Sequence, residues 1–173
     1  SMVHNTSKPF AINKFYHDLK SQGHQIGKDT LYQYAEHIED AYLLFLMPIY
    51  EKSFRKTQLH PKKLYTIDPG MVRACTFDYS QDLGRLFENV IYLDLRRLDC
   101  KISYYLTSEH YEIDFLTQTG QGQKKIFQVA WQTDFPQTLE REQRALNSAT
   151  KELNCPGELI TLDSYLQKGI SLN

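Results

Sequence analysis

Residues 111–131, YEIDFLTQTGQGQKKIFQVAW, decide the fold. Two runs rich in aliphatic and aromatic residues, Tyr111 to Thr117 and Lys125 to Trp131, flank the polar stretch Gln118-Thr119-Gly120-Gln121-Gly122-Gln123. This pattern reads as a β-hairpin. A turn centred near Gln121 sets Asp114 opposite Gln128, at equal distances from the centre. Strict alternation then puts Asp114 on one face with Glu112 and Leu116, and Gln128 on a face with Ile126 and Ala130.

The same reading extends outward. Lys101 to Leu106 is a strand-like run before the hairpin, and Glu158 to Leu162 is another after it. Asp82 can cap a long helix through Leu98, whose stripe is Leu83, Leu86, Phe87, Val90, Ile91, Leu95 and Leu98. Glu88 falls at the edge of that stripe and Asp94 nearer its centre, so both need partners. Arg96 and Arg97 are candidates. Thr138 can cap a helix to about Leu153, and Asp163 to Gln167 reads as a brief helix. The second half is therefore α-β-β-β-α-β, a mixed sheet flanked by helices.

Upstream, Pro9 opens a helical pattern through Lys20, stopped by Gly23. Asp29 or Thr30 can cap a second helix to about Ala41. Tyr42 to Met47, ended by Pro48, reads as a strand, and Lys63 to Ile67 as its successor. Helix, helix, strand, loop, strand is the order of a winged helix's second half. The chain divides into a disordered N-terminus at 1–8, a winged-helix-like segment at 9–70, and a second domain at 71–173, with Asp68-Pro69-Gly70 as the junction. The fold class is α/β in the α+β sense.

Composition excludes little. Twenty basic residues nearly cancel twenty-one acidic ones, so any nucleic-acid surface must be local. The loop from Glu51 to Lys63 is such a place: Lys52, Arg55, Lys56, Lys62 and Lys63 oppose the single acid Glu51. Phosphate contact by a wing is one reading, and a solvated or domain-docked loop the blander one. The helix from Asp29 to Ala41 presents Lys28, Gln33 and His37 nearby but no arginine for reading bases. Cys75, Cys100 and Cys155 have neither disulfide-framework nor zinc spacing, and a cytoplasmic protein with reduced thiols is expected. No apolar run is long enough to span a membrane.

Four segments resemble a large prokaryotic family of AAA-type ATPases. Lys63 to Gly70, KLYTIDPG, is similar to the family's KLYFVDTGL. Leu83 to Val90, LGRLFENV, is similar to GRLFENLV, and Glu112 to Phe115, EIDF, to EVDFV. Tyr34 to Tyr50 resembles YLELLEDAFLIFRLPPY. The resemblance implies the C-terminal region of such a protein: a winged helix followed by a domain similar to the restriction-endonuclease-like PD-(D/E)XK fold. No G-x-x-x-x-G-K-[ST] loop occurs, so ATP is expected only in an N-terminal module this chain lacks.

A site of that type cleaves phosphodiesters with Mg²⁺, held by carboxylate oxygens, and with a lysine beside the attacking water. By the resemblance, Glu88 matches the helix acid and Asp114 the strand aspartate, the two residues to which Mg²⁺ would bind. The third element departs: Gln128-Val129-Ala130 stands where the family has Glu-Val-Lys. Lys124 or Lys125 is a weak substitute for that lysine. Catalytic positions are thus Glu88, Asp114 and Gln128, in degenerate form. His110 beside Glu109 and Glu112 suggests a metal site, against the commoner reading of an exposed strand-end histidine. The expectation is a non-catalytic binding or regulatory appendage of its own or a partner's ATPase module, directed at DNA, RNA or protein. No resident cofactor is expected beyond the Mg²⁺ such a pair could take. A metal-dependent nuclease with a variant site and a structural or oligomerisation module are the alternatives.

Overall fold

The computed structural model describes residues 2–75, 83–131 and 136–172. The described residues form two sheets and seven α-helices. The first sheet orders β1 (Pro9–Phe10), β3 (Lys62–Thr66) and β2 (Leu44–Met47), all antiparallel. Against it lie α1 (Ile12–Ser21) and α2 (Lys28–Asp40). The second sheet is mixed: β4 (Cys100–Leu106), β5 (Glu112–Thr119) and β6 (Lys124–Ala130) run antiparallel, and β7 (Gly157–Thr161) joins β6 in parallel. Helix α5 (Leu83–Arg96) covers one face with Phe87, Ile91 and Leu95 on Phe115 and Phe127. Helix α6 (Pro136–Leu153) covers the other with Ala145, Leu146 and Ala149 on Ile113, Leu116 and Ile126. Short helices α3 (Phe54–Leu59), α4 (Pro69–Cys75) and α7 (Leu162–Lys168) complete the chain.

The hairpin has the expected register, with Phe115 opposite Phe127 and Gln118 opposite Lys124. The expected alternation does not hold. On the β4 side Leu116 pairs with Ser103 and Ile113 with Tyr105, so Asp114 and Phe115 together face Tyr104. This is a β-bulge, which turns two successive side chains to one face. Leu116 goes under α6, while Asp114 stays with Phe115 on the α5 side.

Other expectations shift locally. Pro9 and Phe10 are strand, not helix; a proline without an N–H suits the end of an edge strand. Within the segment expected to be disordered, Thr6 is buried against Leu64, and the Ser7 N–H donates to the Leu64 carbonyl at 2.7 Å. It satisfies edge groups of β3 that β1 is too short to reach. Helix α1 ends in a Schellman motif: Gly23 has φ +84°, Gly23 N–H donates to Lys20, and His24 N–H to Leu19. Helix α2 begins at Lys28 after Gly27, with no side-chain cap from Asp29 or Thr30. Residues 54–59 of the basic loop are helical. Residues 170–172 belong to neither sheet. The Asp82 cap lies outside the described residues.

A cluster of Phe10, Leu44 and Leu64 lies wholly before the Asp68 to Gly70 turn, and a larger one spans it. Phe45, Met47 and Tyr65 of the first sheet pack with Phe87, Tyr92, Phe115 and Phe127 in one cluster. The chain after β2 also joins β4, through Tyr50 N–H to Tyr104 at 2.7 Å and Tyr104 N–H to Pro48 at 3.1 Å. This shared core carries β3 across the bulged strand.

Candidate functional site

Strand β3 projects Lys63 and Tyr65 from one face, as period-two geometry requires. Both meet Glu88 of α5. The Lys63 ammonium lies 3.2 Å from Glu88 Oε1, 3.2 Å from Asp114 Oδ1 and 2.8 Å from Glu112 Oε1. The Lys63 side chain is 2% exposed. Tyr65 donates its hydroxyl to Glu88 Oε1 at 2.7 Å and stacks on Tyr92, one turn along α5, with centroids 4.0 Å apart. Asn89 beside Glu88 grips the backbone of Thr66, accepting from its N–H at 2.8 Å and donating to its carbonyl at 3.0 Å. Helix α5 and strand β3 are thus locked together at the residue next to the acid.

Where the hairpin ladder reaches the bulge, side chains replace backbone partners. Asp114 Oδ2 accepts from Val129 N–H at 3.0 Å, and Gln128 Oε1 accepts from Asp114 N–H at 3.2 Å. Gln128 points to α6, where its amide donates to Glu142 Oε2 at 2.7 Å. Glu142, buried despite its charge, also accepts from the Arg141 guanidinium. Glu88, Asp114, Gln128 and Glu142 line one cleft of about 460 Å³, with Arg85 and Arg141 at its sides.

Glu88 and Asp114 therefore come together as the sequence suggests, but around an ammonium. Lys63 is buried between acids and cannot lie with Lys52, Arg55 and Lys56 on a phosphate-facing surface; only those three are exposed, and Lys62 is partly covered. Neither expected substitute lysine reaches the site. Lys124 donates to Tyr50 Oη at 2.6 Å, and Lys125 pairs with Glu158 at 3.1 Å. Glu109 accepts from Ser148 on α6 while Glu112 turns to Lys63, which pulls the His110 group apart. Asp94 has Arg97, an expected partner, and the Tyr165 hydroxyl; Arg96 instead lies over the Phe45 ring at 3.8 Å. Sequence reasoning missed Tyr65 and Glu142. The apolar neighbours of Tyr65 and the period of α6 hold the only signals of their inward placement.

Electrostatics follow from burial. Burial drives the Glu88 carboxyl up to about 7, with Asp114 pushing the same way and Lys63 and Tyr65 opposing. Burial raises Asp114 too, against Lys63 and the Val129 N–H. For Lys63 burial favours the neutral amine, but Glu88, Asp114 and Glu112 outweigh it and hold the ammonium. A carboxyl raised in the folded state contributes stability below its ordinary value, and loses it as pH rises through the folded value. The wild-type chain should thus lose stability between pH 4.5 and about 7 as Glu88 ionises. The displacement corresponds to about 3 kcal/mol. In urea melts across this window, Glu88→Gln should flatten the decline; an unchanged slope would contradict a proton on Glu88.

Mg²⁺ does not fit the arrangement as it stands. It binds oxygens at roughly 2.0–2.1 Å, whereas the three carboxylates converge on Lys63 at hydrogen-bond distances. Among the described residues, no group of three or more His, Cys, Asp or Glu side chains is set to hold a metal ion.

No family model matches the chain, and no solved structure does. The chain is 31% identical over 162 residues to an uncharacterized protein of Methanocaldococcus jannaschii. The match takes in 92% of this chain and 35% of that protein, so the chain spans about a third of the relative's length. No helix among the described residues is long and apolar enough to cross a membrane.

Proposed function

We propose that the chain is a winged-helix-like segment joined to a nuclease-like domain of the PD-(D/E)XK type, serving as the C-terminal accessory region of a AAA-type ATPase. It acts as a non-catalytic module that binds nucleic acid or protein, or regulates the ATPase. The observation that carries the non-catalytic reading is the engagement of Gln128. Its carbonyl oxygen takes the Asp114 N–H and its amide donates to Glu142. Ala130, at the position of the family's lysine, has no polar side chain. Loss of an acid–base group typically costs about 10²- to 10⁴-fold in rate.

Incubation with single- and double-stranded DNA and RNA in Mg²⁺ or Mn²⁺ should give no cleavage above a protein-free control. Cleavage that Asp114→Asn abolishes would overturn the reading. Recognition is tested by fluorescence anisotropy on duplex DNA. If Lys52, Arg55 and Lys56 touch phosphates, the triple glutamate variant should lower affinity uniformly across sequences. The log–log salt dependence should lose about 0.9 of slope per contact removed. No change in either would direct attention to a protein partner.

A second reading, a metal-dependent nuclease with a variant site, draws on Lys63 and Glu142. They bring an ammonium beside Asp114 and a carboxylate into the same cleft from outside the third strand.

A further inference from the structure

We propose that the Lys63 ammonium is a built-in cation: it fills the seat that a hard divalent metal ion would take among Glu88, Glu112 and Asp114, and its removal opens that seat to Mg²⁺ or Mn²⁺. The inference rests on the nuclease-like reading of the site and says what became of the metal there.

Three carboxylates from two elements direct one oxygen each at a single point, at 2.8–3.2 Å, and a cation stands on that point. Two of the three are aimed by bonds independent of the lysine. Tyr65 fixes Glu88 Oε1, and the Val129 N–H fixes the second oxygen of Asp114. The bulge at Asp114 and Phe115 keeps the aspartate turned to this point, whatever stands there. With the ammonium gone, buried carboxylates would face one another uncompensated, which is costly. A divalent ion restores balance with more charge than the lysine supplied. The oxygens must close by about 1 Å to reach metal-ligand distance. Glu112 is 41% exposed, and the adjoining cleft admits the waters that complete a shell.

Lys63→Met tests this, since it keeps a flexible apolar stem and removes the ammonium, which stands 6.0 Å from the Tyr104 ring centroid. Mn²⁺ binding is read by electron paramagnetic resonance and thermal melting for the wild type, Lys63→Met, and Lys63→Met with Asp114→Asn. The expected result is Mn²⁺ binding by Lys63→Met at least about tenfold tighter than by the wild type, with a melting temperature that rises with Mn²⁺. The double variant should lose both. Binding no tighter than the wild type, binding indifferent to Asp114→Asn, or a Lys63→Met chain that stays unfolded in millimolar Mn²⁺ would each overturn the inference. Those outcomes leave the non-catalytic reading untouched, because it is judged by cleavage with the wild-type chain.

Discussion

Lys63→Ala is expected to destabilise the chain by about 3–5 kcal/mol, the range for removing one partner of a buried ion pair. The side chain is fully enclosed and is the shared partner of Glu88, Asp114 and Glu112. Its loss strands two carboxylates that burial already holds above their ordinary values. The loss is a large part of the roughly 5–15 kcal/mol that holds an ordinary domain folded. Because protonation removes the stranded charges, the variant should regain part of the deficit as pH falls from neutral toward 5. Lys52→Ala, on the exposed loop, serves as a control and should stay within about 0.5 kcal/mol of the wild type. Urea titration at two pH values checks both points. A Lys63→Ala loss no larger than the control's would show that the ammonium contributes nothing to the fold.

Asn89→Leu should cost nearly as much, about 2–5 kcal/mol, with no charge involved. Ile67 N–H donates to Leu43, so in the β2–β3 register the Leu44–Thr66 pair leaves the Thr66 N–H and carbonyl turned away from β2. The Asn89 carboxamide takes both at full burial. Leucine fills similar volume but leaves a buried donor and a buried acceptor unmet, at roughly 1–3 kcal/mol each. Asn89→Leu should also loosen α5 from β3, and amide exchange at Thr66 should rise well above that at Tyr65. Equal protection at both residues would show that Asn89 is not the clamp.

What the sequence made legible was local. The hairpin register follows from a short glycine-bearing loop and the stripe of α5 from helical period, so Phe115 stands opposite Phe127 and Ile91 lies in the core as expected. Glu88 and Asp114 were singled out by a family resemblance, and burial on the α5 face brings them together. Features that depend on distant segments were not legible. The bulge adds a residue that a period of two cannot register, and it reverses the expected side for Leu116 relative to Asp114. Lys63 sits in a run of basic residues and has the local signature of a surface lysine. Its partners lie 25 and 51 residues away at Glu88 and Asp114, so only the folded chain reveals them. Glu142 was hidden for the same reason, its contact with Gln128 joining helix to strand across the cleft.

On the proposed reading, Lys63 stands in the seat of a metal ion in the wild-type chain. Isothermal titration of Mg²⁺ and Mn²⁺ into the wild-type chain, beside an Asp114→Asn control, tests it most directly. No saturable heat is expected at millimolar metal in either protein. Saturable binding to the wild type that vanishes in Asp114→Asn would contradict it and place a metal where Lys63 is held to stand.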